Sequence, residues 1–419
     1  MLNTPLFVNK KEFFVALGGL CIVALIFLGF EFYQYQNFVK TSLHVSKATI
    51  LNYYQKTNAQ QKTYEVLKLK LDSGQSLYTV SWKPLHVSLK ERVKVKFELK
   101  NLSFAEYLKG FFVPSQYIYT IYEDNPPFDI RPWYAFVSDQ HEEEMMAEFY
   151  SALLFATPLS KELRESVQKW GITHLIAISG YNVGVISFLL FLFINPIYTF
   201  FQSRYFPYRN KMADIMPVVF AVLIGYMALI DYIPPFMRAV VMSIVGFFFF
   251  SRGIKLLSFE ILFLVACGLL AFIPSLFFSL SFWFSLAGVF YLFLFLHHVK
   301  SKSKMALFVG LDIYVFVTML PIVHSVFPVF TLLQLSSVFW SAVFLFFYPF
   351  GLFLHLLGQG GLLDSWIMGL LHVEITHYTL TVPYWFLVPY ALISLLSIKF
   401  YRLFISCFFL ALSSLGFIQ

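Results

Sequence analysis

A series of long apolar runs fills most of the chain after residue 170 and constrains its fold more than any other feature. Nine runs follow one another, at 172–194, 213–231, 236–250, 256–272, 280–297, 305–323, 331–349, 383–398 and 403–417. A helix needs about 20 apolar residues to cross a bilayer, so we expect the runs of about 15 residues to be tilted, broken or re-entrant. The stretch 351–381 is ambiguous, because glycines break it and charged residues and histidines follow.

Charged residues make up only 13% of the chain, whereas a soluble domain usually carries about 25%. This low share excludes a soluble enzyme, a disordered chain and a disulfide-rich secreted protein. We therefore predict an α-helical polytopic membrane protein with about 10–11 membrane segments, some of them short or re-entrant.

An earlier apolar run covers residues 13–30 and directly follows Lys10 and Lys11. A secretory signal peptide has a similar run, but a small-residue cleavage site should follow it, and residues 31–33 are bulky. We interpret residues 1–33 as an uncleaved transmembrane anchor whose N-terminus lies in the cytoplasm.

A basic segment with runs of alternating apolar and polar residues follows the anchor. Residues 34–139 contain 14 Lys and Arg against 9 Asp and Glu, a net charge of +5. Apolar and charged residues alternate from Val93 to Lys100, which is typical of a half-buried strand. Similar runs occur at 43–51, 63–71, 76–82 and 116–122, with a turn at 72–74 and a helical pattern at 103–110.

Five strands and a helix in so short a segment predict a small closed β-barrel of the OB type over residues 41–125. Other small β domains fit nearly as well. The basic balance suits an anionic partner such as nucleic acid or lipid headgroups, or it marks a solvated Lys-rich surface. Tyr53, Tyr54, Tyr78 and Trp82 are candidate platforms for stacked bases, with core packing as the alternative.

Residues 140–170 are amphipathic and too polar to span a bilayer, so we expect interfacial helices.

Basic residues then cluster in four later loops, at Arg204, Arg209 and Lys211, at Arg252 and Lys255, at Lys300, Lys302 and Lys304, and at Lys399 and Arg402. Because cytoplasmic loops carry an excess of Lys and Arg, these four loops are predicted to be cytoplasmic. Residues 34–170, with the β domain, then lie outside the cytoplasmic membrane.

Segment 170–184 (WGITHLIAISGYNVG) places polar residues where a membrane makes them costly. They are His174, Ser179 and Asn182, beside Gly180. One interpretation is a locally unwound helix that lines a water-filled path. The other is close helix packing, since Gly180 begins a GxxxG pair.

A second candidate is the segment from Asp231 to Arg238, in which two prolines break the chain between spans. Arg238 is either an anchor that snorkels to the interface or a functional cation paired with Asp231. We favour the functional role, because the loop is predicted to face outward. A row of serines, Ser275, Ser279, Ser281 and Ser285, is a third candidate, and helix packing is its alternative explanation.

Signatures of catalysis and metal binding are missing from the sequence. The three cysteines, Cys21, Cys267 and Cys407, lie in apolar runs without CxxC spacing. No HExxH, GxSxG, P-loop or GxGxxG motif is present. We therefore expect no catalytic residues, no cofactor and no metal, and a protein that is not an enzyme.

The segment from Gly171 to Gly184 resembles the HLLAISGLHVG signature of the ComEC family, the inner-membrane DNA uptake channels of natural transformation. Four further segments are similar to family elements. Segment 234–239 resembles the P-x-x-R-A element, and segment 271–282 resembles the "P…GFQLSF" region. Segment 104–110 resembles the end of the OB-like domain, and segment 381–383 resembles a late outer segment. Asn182 replaces the signature's second histidine, and the QLSF glutamine position reads Ser279 or Ser281.

The resemblance implies that residues 171–419 form a competence-type channel domain that passes single-stranded DNA into the cytoplasm. His174, Ser179, Gly180, Asn182, Asp231, Arg238, Ser279, Ser281 and Ser285 are the candidate path residues. Expected partners are the strand itself, membrane lipids, a periplasmic DNA receptor, and a cytoplasmic motor or strand-binding proteins. The chain ends without the metallo-β-lactamase-like domain that many members carry, so a nuclease is expected either to be a separate protein or not to be needed.

Two other classes remain open on the sequence. A polytopic membrane enzyme, such as a lipid-linked glycan transferase, would use His174, Asp231 and Arg238 at an outer-facing site, although few carboxylates lie nearby. A small-solute transporter usually has inverted repeats, and none is evident.

Overall fold

The computed structural model describes residues 6–7, 9–57, 63–81, 91–99, 101–120, 131–176, 178, 180–230, 232–254, 258–373 and 376–418. Sixteen α-helices lie in these ranges: α1 (Lys10–Val39), α2 (Phe104–Lys109), α3 (Arg131–Ser138), α4 (Glu144–Phe155), α5 (Lys161–Lys169), α6 (Thr173–Ile176), α7 (Gly180–Tyr205), α8 (Lys211–Leu229), α9 (Pro234–Ser251), α10 (Phe259–Phe272), α11 (Leu280–His298), α12 (Lys304–His324), α13 (Ser337–Leu356), α14 (Asp364–Leu371), α15 (Tyr384–Leu396) and α16 (Tyr401–Ser413). The same ranges contain eight strands: β1 (Leu43–Thr57), β2 (Thr63–Leu71), β3 (Ser76–Ser81), β4 (Arg92–Glu98), β5 (Phe111–Phe112), β6 (Ser115–Thr120), β7 (Val329–Phe330) and β8 (Tyr378–Thr379).

The chain folds as two compact units. The first, here called the sheet unit, contains Phe7–Tyr134 and Leu264–Ser279. The second, the helical unit, contains Ala135–Phe263 and Leu280–Gln419.

The sheet unit is built on six strands in the order β5-β3-β2-β1-β4-β6. Its centre is the long strand β1, which pairs with β4 over Leu43–Thr49 and with β2 over Ala48–Thr57. The pairing with β2 shifts register between Ile50 and Asn52. The strands predicted from alternation are all present, and the residues at 72–74 form the predicted turn between β2 and β3.

Alternation places the apolar residues of these strands on one face, where they form the core of the unit. The fully buried members include Ala48, Ile50, Leu67, Leu69, Leu77, Val93, Val95 and Phe97. Tyr35 and Phe38 from the end of α1 pack against this core, and the Tyr35 hydroxyl donates to the carbonyl of Leu102 at 2.7 Å. The predicted short helix is α2, which begins with a capping box between Ser103 and Glu106.

Two apolar clusters hold the helical unit together. One joins α7, α8 and α9 through buried side chains that include Val183, Ile215, Val219, Leu223, Phe236 and Val240. The other joins α11, α12, α15 and α16 through Tyr291, Leu294, Tyr314, Tyr390, Phe404 and Cys407. Helix α4 buries eight of its twelve residues, whereas α5 buries only Leu163 and Val167. Placement of these two helices at the membrane interface stays a prediction.

The part of the chain that is described contains six helices long and apolar enough to cross a membrane. They are α1, α7, α8, α11, α12 and the segment Leu332–Leu356, which includes α13. Five shorter apolar helices accompany them, at Phe236–Ser251, Phe259–Phe272, Gly360–Leu371, Tyr384–Leu396 and Tyr401–Phe417. This pattern is that of a multi-pass membrane protein. In the ambiguous stretch 351–381, α13 ends at Leu356 and the short helix α14 follows.

The predicted topology is open to a direct test. We expect a cysteine at position 94 (Lys94→Cys) to react with a membrane-impermeant maleimide in intact cells, because the sheet unit is predicted to lie outside. A cysteine at position 302 (Lys302→Cys) should react only after permeabilisation, because its loop is predicted to be cytoplasmic. Labelling at 302 and protection at 94 in intact cells would reverse the orientation. The chain without added cysteines gives the background from Cys21, Cys267 and Cys407, all of which are free.

Candidate functional site

The helical conformation is interrupted in the helical unit at the point where the sequence predicts a break in the helix. Helix α6 ends at Ile176, α7 begins at Gly180, and Ile178 between them is buried and non-helical. A Cβ added to Gly180 would lie 3.6 Å from the Cβ of Ala239, so the start of α7 packs against the start of α9. Around Gly184, no atom of the described residues lies within 4 Å of such a Cβ. The GxxxG interpretation therefore gains no support at its second glycine.

Arg238 lies in the first turns of α9, next to this junction, and is only 4% exposed. One of its terminal nitrogens, Nη2, donates to the carbonyl oxygen of Ser281 at 3.0 Å. The guanidinium carbon lies 5.4 Å from the ring centre of Phe282, within reach of a cation–π contact. Its Nε and Nη1 atoms have no hydrogen-bond partner among the described residues. A buried cation with unfilled donors is energetically costly unless an anion approaches it.

The other predicted site residues are dispersed. Ser281 meets Arg238 through its backbone carbonyl rather than its hydroxyl, and Ser285 is exposed on the same helix. Ser279 belongs to the sheet unit. His174 is exposed, and its Nδ1 lies 2.9 Å from the carbonyl of Gly171. Ser179 and Asp231, with its predicted pairing to Arg238, lie outside the described residues.

Asn182, near the start of α7, belongs to a buried polar cluster. It is fully buried, and the Tyr348 hydroxyl lies within hydrogen-bonding reach of the Asn182 and Tyr226 side chains. Tyr226 in turn donates to the carbonyl of Leu154 in α4. Sequence reasoning did not find Tyr226 and Tyr348, because tyrosines in apolar runs are common in this chain, which has 25 of them.

The outward face of the sheet carries a group of cations and tyrosines that we call the Lys–Tyr face. Strand register places on it Lys47, Lys68, Lys70, Arg92, Lys94, Lys96, Tyr54, Tyr78, Tyr117 and Tyr119. Lys94 pairs with Lys47 on one side and with Tyr119 on the other, and Lys96 pairs with Tyr117. The rings of Tyr117 and Tyr119 are stacked, with centroids 6.1 Å apart and planes at 12°.

The two stacked tyrosines are well placed to meet a ligand, because they are 58% and 59% exposed. Of the predicted platforms, Tyr54 and Tyr78 lie on this face, with Lys56 and Lys68 over their rings. Tyr53 pairs with the core residue Leu67 and so belongs to the opposite face, and Trp82 lies outside the described residues. The sequence signal for Tyr117 and Tyr119 was their alternation in the predicted strand at 116–122.

A comparison with known families decides the identity of the chain. The sequence model of the family described as "Competence protein" matches residues 156–417, well over half of the chain. The chain belongs to this family. No curated protein and no solved structure matches it.

In this competence protein the matched range contains the α6–α7 break, Arg238, Asn182 and Ser281, whereas the Lys–Tyr face precedes it. Both places present positive charge, one buried among apolar helices and one spread over an exposed sheet. Among the described residues, no group of three or more His, Cys, Asp or Glu side chains could hold a metal ion. What the two places offer chemically is attraction for phosphate and, on the sheet, flat surfaces for bases.

Proposed function

We propose that this protein is a channel that passes single-stranded DNA across the cytoplasmic membrane during natural transformation. Membership of the competence family and the six membrane-length helices among the described residues support a membrane protein linked to DNA uptake. The observation that carries the finer proposal is Arg238, a cation in an apolar environment with two nitrogens unfilled by described residues. Each nucleotide carries one phosphate charge, and a phosphate that reaches Arg238 supplies the missing acceptor.

The junction between α6 and α7 supports a path at this position. A helix that begins at Gly180 directs its first backbone N–H groups away from the helix body, and such N–H groups bind anions. Ala239 lies against Gly180, so Arg238 and this helix start act at the same place. Because Arg238 is buried, a strand reaches it only when α7 and α9 separate locally. When the two helices are in contact, between transport events, the path is closed.

The Lys–Tyr face is proposed to collect the strand before it enters. Cations on the central strands hold phosphates, and the stacked pair Tyr117–Tyr119 receives bases. We further propose that the sheet closes as an OB-like barrel. The consecutive strands β5 and β6 support this, since they lie at opposite ends of the strand order.

Other proteins complete the process in this proposal. An extracytoplasmic DNA receptor delivers the strand, a cytoplasmic motor or strand-binding protein draws it inward, and a separate nuclease removes the complementary strand. No acidic residue among those described forms an ion pair with Arg238, so no specific observation favours the alternative of a membrane enzyme.

Deletion of the gene in a naturally transformable host tests the proposed function. We expect labelled DNA to accumulate outside the cytoplasmic membrane, while its arrival in the cytoplasm and the yield of transformants fall to background. Restoration of the gene on a plasmid is the control. Normal delivery of label to the cytoplasm in the deletion strain would refute the channel.

A further inference from the structure

Two histidines far apart in the sequence meet inside the helical unit. His141 follows α3, and His355 lies in the last turn of α13. Their Nε2 atoms are 3.1 Å apart. The Nδ1 atom of His141 lies 2.8 Å from Oδ2 of Asp364, the first residue of α14. The Nδ1 atom of His355 lies 2.6 Å from the carbonyl oxygen of Gly351.

These three hydrogen bonds form one continuous line, and counting their protons fixes its charge. The Gly351 carbonyl can only accept, so Nδ1 of His355 carries a proton. One proton is also needed between the two Nε2 atoms, and another between His141 and Asp364. Two neutral imidazoles and a carboxylate supply only two protons, so the complete line binds a third. The simplest distribution is a His141 imidazolium between the Asp364 carboxylate and a neutral His355.

Packing holds this line in place. The His141 side chain is fully buried and that of Asp364 is 16% exposed, while His355 as a residue is 2% exposed. The ring of Tyr150 from α4 stacks on His141, with centroids 4.7 Å apart and planes at 7°, and lies 4.5 Å from the His355 ring. Burial, with a smaller effect of the Asp364 charge, raises the pKa of Tyr150, so its phenol stays protonated.

Gln140 fixes the surrounding backbone. Its Nε2 donates to the carbonyl of His355 at 3.2 Å, and its Oε1 accepts from the backbone N–H of Gly360 at 2.8 Å. A Cβ at Gly361 would lie 2.6 Å from the Gln140 carbonyl, so this close approach requires glycine. The segment after α3, the end of α13 and the start of α14 are thus joined around the two imidazoles.

We propose that His141 and His355 form a proton-binding site, in which one proton is shared between their Nε2 atoms and Asp364 supplies the balancing negative charge. Without that proton, one of the three contacts would bring two acceptors together: the two Nε2 atoms at 3.1 Å, His355 Nδ1 and the Gly351 carbonyl at 2.6 Å, or His141 Nδ1 and the Asp364 carboxylate at 2.8 Å. A zinc ion is a poorer occupant, because it takes three or four protein ligands, and two nitrogens at tetrahedral bonds of about 2.0–2.1 Å lie roughly 3.4 Å apart. The described residues contain no such ligand group.

Proton loss has a defined structural consequence. The line of hydrogen bonds is complete while the shared proton is bound, and loss of that proton breaks it. Tyr150 and Asp364 are titratable side chains that contact the pair. On the same face of α13, seven residues or about 10 Å before His355, lies Tyr348 of the Asn182 cluster.

Solid-state ¹⁵N NMR of the full chain in lipid bilayers, with labelled histidine, tests the site at pH 8. An ordinary histidine is about 3% protonated at that pH, so an imidazolium signal there identifies the bound proton. We expect this signal in the wild type and its loss in both His141→Gln and Asp364→Asn. The matched control is His372→Gln, because His372 is exposed, directly follows α14, and its Nδ1 lies 3.0 Å from the carbonyl oxygen of Met368 in that helix. The control should keep the signal.

Two results would overturn the proposal. One is a wild-type spectrum at pH 8 without an imidazolium, which is decisive even where a variant fails to fold. The other is retention of one equivalent of zinc by the purified wild type but not by His141→Gln, which would make the site a metal site. Neither measurement involves DNA, so a negative result here leaves the channel proposal standing, and failure of the channel leaves this site intact.

Discussion

Replacing Arg238 by Glu is expected to abolish nearly all transport of DNA into the cytoplasm. The substituted carboxylate would repel each phosphate at the buried position where arginine is proposed to attract it. Arg238→Gln should lose most transport, roughly tenfold or more, since a hydrogen bond to a charged group contributes about 1.5–3 kcal/mol. Arg238→Lys should keep part of it, because an ammonium group still attracts phosphate.

Transformation frequency, divided by the amount of inserted protein, measures this series. Arg252→Gln is the matched control: Arg252 closes the same helix, is exposed, and lies 5.4 Å over the ring of Phe248, as Arg238 does over Phe282. It should transport normally. Equal losses for Lys and Gln would instead indicate that the planar fork of arginine is required. Near-normal transport in Arg238→Glu would remove Arg238 from the path.

On the sheet, replacing both Tyr117 and Tyr119 by Ala is expected to weaken the binding of single strands strongly. Stacking of a base on an aromatic ring contributes about 1–3 kcal/mol, so we expect a loss of about fivefold to 150-fold for each stacked base. Replacing Lys94 and Lys96 by Gln should act differently. It should lower the slope of log affinity against log salt by about 1.4, since each phosphate contact to a single strand contributes about 0.7.

Fluorescence anisotropy with a labelled oligothymidine and the full chain in lipid nanodiscs gives both quantities. Tyr208→Ala and Lys161→Gln serve as controls, because Tyr208 is fully exposed, the Lys161 side chain is 88% exposed, and both residues belong to the helical unit. They should leave affinity and salt slope unchanged. If the tyrosine and lysine variants also bind like wild type, the Lys–Tyr face is a solvated surface and the strand is collected elsewhere.

Local patterns explain what could be predicted of the fold. Alternation from Val93 to Phe97 shows which side of β4 is buried, since a strand has a period of two residues. The glycine at position 74 has φ of 96°, a conformation that favours glycine and marks the turn between β2 and β3. Apolar length likewise located the membrane helices. Each of these patterns is formed by residues close together in the chain, so it can be recognised from one sequence without knowledge of the tertiary contacts.

The parts of the site that were not predicted depend on contacts between distant segments. His141 and His355 are separated by 214 residues, and no local pattern relates them. Arg238 was expected to pair with Asp231, yet its described partner is a backbone carbonyl, which every residue possesses. Asn182 was recognised as unusual in an apolar run, but its neighbours Tyr226 and Tyr348 come from helices whose packing the sequence does not specify.

The connection between the first helix and the sheet has a mechanical consequence. Helix α1 ends at Val39 and β1 begins at Leu43, so three residues join a membrane-length helix to the central strand. Pulling along β1 strains its hydrogen bonds to β2 and β4 together rather than one after another. Tension applied along β1 is therefore shared across two strand pairings and passes directly into α1. The sheet unit can bear such a force without losing its strand pairings one at a time.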